Sequence, residues 1–212
     1  MIAIVDYGMG NLYSVKNMLK YLGFDSSVTG EASRIAAADK LILPGVGNFG
    51  KAMEVIRQSG LLEVLNRRVL EEKTPILGIC LGMQLLLGHS EEGDCDGLGW
   101  IPGEVKKFDF SGQPELKVPH MGWDYIEKQK ESLLFAHSAG GERYYFVHSY
   151  YAACRDREDV AATTEYGIRF DSAVHRDNIM GTQFHPEKSN RFGMEILRNF
   201  AKGGGLLWTI TD

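Results

Sequence analysis

The chain has 212 residues, 44% of them apolar and 24% charged, the balance of an ordinary globular domain with a sizeable core. Its formal net charge of −5, with no basic run, argues against nucleic acid as a partner. No apolar run reaches membrane-spanning length, and the three scattered cysteines (Cys80, Cys95, Cys154) resemble neither a disulfide framework nor a zinc site. A reducing, cytoplasmic setting is the expectation. The N-terminal MIAIVDYGMG, interrupted by Asp6, reads as a strand rather than a leader.

Residues 2–5 form a predicted buried strand, and the turn Asp6 to Asn11 follows it. Leu12, Val15, Met18, Leu19 and Leu22 recur at helical spacing, with Gly23 placed to cap that helix. Gly8 and Gly10 after a strand fall short of a dinucleotide fingerprint, because Tyr13 stands where the third glycine belongs. A strand over 25–28, a short helix over 32–37 and a buried strand over 40–43 come next. That strand runs into Pro44-Gly45-Val46-Gly47-Asn48-Phe49-Gly50, a glycine-rich loop opening a helix at about 51–58. A further helical pattern spans 61–70. Alternating short strands and helices predict a parallel α/β sheet with helices on both faces.

The stretch PILGICLGMQLL, residues 75–86, then combines a short apolar strand, Cys80 between Gly78 and Gly82, and an apolar run compatible with a helix. Flanking glycines permit the unusual backbone angles and close packing of a tight strand-to-helix turn. A thiol at a helix start also has its thiolate favoured by the positive end of the helix dipole. On this stretch alone Cys80 is equally compatible with a buried core thiol and with a nucleophile. The glycine loop and the Cys80 turn each follow a predicted strand. In parallel sheets the carboxyl ends of neighbouring strands are where ligands bind.

After Gly88 the texture changes. Residues 90–99 (SEEGDCDGLG) read as loop. Strand patterns at 104–108, 123–126, 144–147, 150–153, 160–164, 170–174 and 179–184 suggest antiparallel hairpins appended to the parallel part. A final helix over 191–202 puts Phe192, Ile196, Leu197 and Phe200 on one face. With no repeat or linker, one domain over 1–203 is expected, followed by a short 204–212 tail.

A cysteine nucleophile needs a base to take its proton and later protonate the leaving group, and an imidazole oriented by a carboxylate is the usual answer. Among six histidines, His185 in His185-Pro186-Glu187 stands out. In an extended segment the side chains at 185 and 187 project to one side, and Pro186 excludes a helical path through His185. Glu187 then accepts from one imidazole nitrogen and leaves the other for Cys80. Alone, such a motif is more often a surface histidine; beside a glycine-flanked cysteine the balance reverses. An oxyanion would need two donors: the Leu81 N–H, and a second from the Val46–Gly47 segment of the glycine loop. If Cys80 is inert, that loop is a plain strand-to-helix turn. His89, His120, His137 and His175 read as structural or solvated, Cys95 and Cys154 as bystanders. Asp6 and Asp124 have no derivable role. No metal and no cofactor is expected.

PGVG at 44–47, GICLGMQLL at 78–86 and QFHPEKS at 183–189 resemble the motifs of the class I, or triad, glutamine amidotransferases, and the resemblance covers nearly the whole chain. PGVGNFG, PHMGW at 119–123 and YFVHSY at 145–150 are similar to the branch serving as glutaminase subunit of imidazole glycerol phosphate synthases, in histidine biosynthesis. The resemblance implies a three-layer, flavodoxin-like α/β fold: a mostly parallel central sheet flanked by helices, with appended antiparallel strands. It implies that Cys80 attacks the side-chain amide of L-glutamine and that His185, oriented by Glu187, is the general acid and base. A γ-glutamyl thioester forms, ammonia leaves, and water regenerates the thiol.

By the same resemblance, Gln84 and Glu92 match positions that hold the head group of the substrate. Ser149 and Tyr150 match the segment that receives its carboxylate through main-chain groups. The ammonia passes to a (β/α)8-barrel synthase subunit, which makes imidazole glycerol phosphate and AICAR, in a heterodimer active mainly when docked. Met121, Trp123, Tyr145 and Lys188 match the face that meets this partner. Met and Trp in a short PHMGW loop are common interface anchors, but by residue type alone Met121 and Trp123 are expected as ordinary core. Asp124 stands where the motif often continues with Asn, and Tyr151 follows HSY where another residue is common. Asp124 and the long run EYGIRFDSAVHRDNIMGTQFHPEKS at 165–189 suit at least as well a related glutaminase that feeds an amino-sugar enzyme of surface-polysaccharide synthesis through a similar barrel. A non-catalytic regulatory module and a cysteine peptidase of the same fold are the readings from other classes.

Overall fold

The computed structural model describes residues 1–136 and 138–203. The expectations for His137 and for the 204–212 tail fall outside the described residues. The first half alternates as predicted: β1 (Ile2–Val5), α1 (Leu12–Tyr21), β2 (Ser26–Thr29), α2 (Ala32–Ala36), β3 (Lys40–Gly45) and α3 (Phe49–Gln58). Helix α4 (Leu61–Asn66), β4 (Ile76–Cys80) and α5 (Leu81–Leu85) complete it. Leu12, Val15 and Leu19 are the buried stripe of α1, and Asn48 caps α3 by accepting from Lys51 N at 2.9 Å. The helix expected over 61–70 changes its hydrogen bonding at Arg67, where a π-helical turn runs to Glu71.

The second half contains β5 (Leu87–Ser90), β6 (Cys95–Asp96), β7 (Ile101–Lys107), β8 (His120–Tyr125), β9 (Glu127–Lys128) and β10 (Arg143–His148). Then follow β11 (Tyr150–Cys154), β12 (Val160–Tyr166), β13 (Ile168–Arg176), β14 (Ile179–Thr182) and α6 (Asn190–Lys202). Residues 90–99, expected as loop, include β6, which pairs antiparallel with β5. Polar composition hid it, because a two-residue edge strand needs no apolar alternation. Met121 and Trp123 sit in β8, not in a short loop. Ile196, Leu197 and Phe200 are buried on α6, whereas Phe192 is only partly covered.

One sheet runs β2-β1-β3-β4-β14-β13-β11-β7-β5-β6. Its first five strands are parallel, and antiparallel pairing begins where β13 joins β14. Every residue of β1, β3, β4 and β14 is buried, as suits strands with helices packed on both faces. Each buried Val, Leu or Ile there contributes about 1.5–3 kcal/mol of transfer free energy. The pair β8–β10 forms a separate antiparallel ribbon. In register, Gly45 at the end of β3 lies beside Cys80 at the end of β4, and Thr182 of β14 lies beside Ile79. Three neighbouring strands therefore deliver the glycine loop, the cysteine and the His185 segment to one edge. Among the described residues, no helix is long and apolar enough to cross a membrane.

Candidate active site

Cys80 occupies the corner between β4 and α5 with φ 54° and ψ −110°. An L-residue in that region carries strain on the order of 1–3 kcal/mol, which only the surrounding packing can hold. The packing depends on missing side chains. A Cβ at Gly82 would come 1.7 Å from Leu43 O, and one at Gly78 would come 2.6 Å from Gly82 O. Only glycine lets the helix start press this closely on β3. The thiol is 6% exposed, 3.9 Å from Val147 O and 3.7 Å from Gln183 Nε2.

His185 follows β14 by three residues and is held by its backbone, since its N–H donates to Tyr145 O at 2.9 Å. Ser189 Oγ donates to His185 O at 2.7 Å. The imidazole Nδ1 lies 2.8 Å from Glu187 Oε1, with both side chains 2% exposed. The geometry differs from the extended strand expected: His185 is extended, but Pro186–Lys188 forms a 3-10 turn that folds the carboxylate back under the ring. Proline at the first position of that turn supplies the required φ and lacks the N–H that would go unpaired. Nε2 has no hydrogen-bond partner among the described residues. Burial opposes the imidazolium, yet the neighbouring Cys80 and the Glu187 carboxylate outweigh it and raise the ring pKa to about 10.

The glycine loop stands alongside. Val46 is 41% exposed, and Gly47 has φ 108°, a conformation that favours glycine. Leu81 N begins α5, so its N–H is one of the donors that a helix start leaves free. Of the residues expected to hold substrate, Gln84 is buried and donates from Nε2 to Tyr150 O at 2.8 Å and Gln183 Oε1 at 2.9 Å. Glu92 Oε2 accepts from Phe49 N at 2.8 Å, tying the 91–99 segment to the start of α3. Ser149 O accepts from Phe108 N at 3.1 Å, and Tyr150 opens β11. Tyr145, Trp123 and Lys188 form one cluster: the Trp123 ring meets Tyr145 edge-on at 6.0 Å, and Lys188 Nζ stands 5.7 Å from the Tyr145 ring centre. Met121 and Trp123 are 62% and 42% exposed on the outward side of β8.

Several neighbours escaped the sequence reading. Gln183 stands beside the thiol, though its place in QFHPEKS carried no chemical signal of its own. Tyr7 is 3% exposed, its hydroxyl without a hydrogen-bond partner among the described residues and pressed on Gly45, where a Cβ would lie 2.3 Å away. Burial and the nearby Cys80 push that phenol upward. His148, buried behind the site, is driven down to about 3, chiefly by burial and against its bond to the Tyr150 carbonyl.

A strained cysteine at a strand-to-helix corner, a buried His–Glu pair and a glycine loop therefore share one edge of a doubly covered parallel sheet, a candidate site with the groups that cysteine–histidine–carboxylate chemistry requires. A model of the class I glutamine amidotransferases matches residues 3–203, and the chain belongs to that family. The chain is 50% identical over 202 residues to the "Imidazole glycerol phosphate synthase subunit HisH 2" of Methanococcus maripaludis, covering 95% of this chain and 99% of that one. It is 46% identical to the HisH subunit of Leptospira borgpetersenii, over 95% and 99% of the two chains. To the HisH subunit of Moorella thermoacetica it is 49% identical, over 95% and 94%. The fold is also similar to that of a chain in the structure of PurLQS from Thermotoga maritima, at TM-score 0.73 and 17% identity over 94% and 96% of the chains.

Proposed function

We propose that this chain is a glutaminase subunit that releases ammonia from L-glutamine for a synthase partner. The observation that carries it is the buried Nδ1–Oε1 contact of 2.8 Å between His185 and Glu187 at the sheet edge that also holds strained Cys80. The Cys80 thiolate adds to the amide carbon, and the oxyanion is received by the Leu81 N–H and the Val46–Gly47 segment. His185 gives its proton to the departing nitrogen as the C–N bond breaks, which leaves a γ-glutamyl thioester and free ammonia. His185 then takes a proton from water, hydroxide adds to the thioester, and glutamate leaves as the thiolate is restored. Glu187 holds the ring in the tautomer this cycle requires. No metal or cofactor takes part in these steps.

The names of the relatives support imidazole glycerol phosphate synthase as the assembly, with histidine biosynthesis as the setting, over an amino-sugar acceptor. The exposed Met121, Trp123 and Lys188 surface supports docking to a (β/α)8-barrel synthase subunit as a heterodimer. Gln84 and Glu92 order the substrate pocket, and the Ser149–Tyr150 main chain receives the substrate carboxylate. The family match over 3–203 supports one glutamine amidotransferase domain across 1–203. Its working compartment in this reading is the cytoplasm. Purified with the cognate barrel protein and its ribonucleotide substrate, the wild-type chain releases glutamate and supports imidazole glycerol phosphate formation. Cys80→Ala abolishes glutamate release while synthesis driven by added ammonium persists; undiminished release overturns the assignment.

A further inference from the structure

Asp124 ends a chain of polar contacts that runs inward to the thiol. His120 and Asp124 lie four residues apart on the inner side of β8, while Met121 and Trp123 share its outer side. His120 Nε2 faces Asp124 Oδ2 at 3.4 Å, and His120 Nδ1 lies 3.1 Å from His148 Nε2. His148 Nδ1 donates to Tyr150 O at 2.8 Å. That carbonyl also accepts from Gln84 Nε2 at 2.8 Å. Gln84 Nε2 donates in turn to Gln183 Oε1 at 2.9 Å, and Gln183 Nε2 stands 3.7 Å from Cys80 Sγ.

A carbonyl only accepts, and this fixes the protons along the chain. His148 carries its proton on Nδ1, so its Nε2 is a lone pair. His120 therefore donates from Nδ1, and its Nε2 is bare while the ring is neutral. Two acceptors, imidazole nitrogen and carboxylate, then face each other. Their contact becomes attractive when a proton is taken up, giving an imidazolium paired with a carboxylate.

We propose that Asp124 is a positioning residue: proton uptake between Asp124 and His120 tightens the chain that holds the Tyr150 carbonyl, and so sets the affinity for glutamine. The inference rests on the glutaminase reading of Cys80. Because β8 carries this chain on one side and Trp123 on the other, a partner seated on Trp123 touches the strand that positions the substrate segment.

The surroundings of His120 restrict the proton to that contact. Tyr166 of β12 stacks on its ring at 4.0 Å and Phe146 of β10 at 4.9 Å, with Phe170 at 5.9 Å and Phe108 at 6.5 Å on other sides. The titratable groups facing it are Asp124, His148 and Tyr166, whose hydroxyl donates to Lys117 O. Burial lowers the His120 pKa against the pull of Asp124, while His148 stays neutral down to about 3. Uptake therefore falls on the acid side of neutrality.

Ring 15N NMR of the full chain tests this directly. The wild type shows His148 protonated on Nδ1 at pH 8, and His120 gains a second proton as pH falls. In Asp124→Asn the amide donates to His120 Nε2 without an added proton, and the His120 titration moves down by about 1–3 pH units. In the complex with the barrel partner, the wild-type KM for glutamine rises about 2- to 10-fold as pH climbs through that titration, with kcat little changed. Asp124→Asn flattens the KM profile. A His148 proton on Nε2, an unshifted His120 titration, or the same KM profile in both proteins overturns the proposal. Glutamate release surviving in Cys80→Ala would instead overturn the glutaminase reading and leave the NMR prediction standing.

Discussion

His185 and Glu187 show how burial and charge compete at a single residue. Desolvation works against the imidazolium, but the Cys80 and Glu187 side chains beside it lift its pKa to about 10. An unfolded histidine titrates near ~6.5, so the folded state holds the proton more tightly. The stabilisation is complete below that value and is lost as pH rises towards about 10. Urea unfolding of the wild type from pH 6.5 to 10 will therefore show stability falling with pH. Glu187→Gln will flatten that slope, because the amide removes one of the charges that hold the proton. In the complex, the same variant will lower kcat for glutamine hydrolysis about 10²- to 10⁴-fold, since the ring loses the group that fixes its tautomer.

At the level of elements, the corner between β4 and α5 is built by absent side chains. Gly82 rests against β3 so closely that Gly82→Ala places a methyl group 1.7 Å from Leu43 O. Backbone on both sides cannot yield without moving Cys80. Thermal unfolding will show Gly82→Ala destabilised by about 3 kcal/mol or more. Gly112→Ala, where an added Cβ meets nothing within 4 Å, will stay within about 0.5 kcal/mol of wild type. Equal effects at the two positions would remove close packing as the reason for the glycine. The pleat of β8 is the second decisive element. Alternation puts His120 and Asp124 inward and Met121, Trp123 and Tyr125 outward, so one strand serves both the site and the surface.

For the whole molecule, what matters is which edge carries the surface. Met121, Trp123 and Tyr125 leave a large apolar group exposed beside Lys188, and exposed clusters of this kind mark binding surfaces. Trp123→Ala will weaken association with the proposed synthase partner by about 2 kcal/mol or more in calorimetry, while the melting temperature of the isolated chain stays nearly unchanged. A melting temperature that falls while affinity holds would return Trp123 to the role of a core residue. Location near the site follows from connectivity: β10 pairs with β8 and also gives Tyr145, whose carbonyl accepts from His185 N.

Much of this was open to reading in one dimension. Buried parallel strands are continuous apolar runs, and glycines around Cys80, a proline beside His185 and glycines after β3 are backbone constraints written locally. The His185–Glu187 pair was legible for the same reason, though a 3-10 turn brings it together where an extended segment was expected. Other features have no local signature. The two-residue β6 is set only by its pairing with β5. Gln183, Tyr7 and His148 acquire meaning from neighbours far away in the chain, and so does Asp124, whose nearest partner matters because of what lies beyond it. The sequence by itself determined the tight glycine-flanked turn at Cys80, the closeness of His185 to Glu187 and the glycine loop after β3, because each depends on nearest-neighbour backbone chemistry. Only the tertiary structure decided which polar groups are buried against one another and in which direction their protons must point, because desolvation and hydrogen-bond polarity are properties of contacts between distant residues.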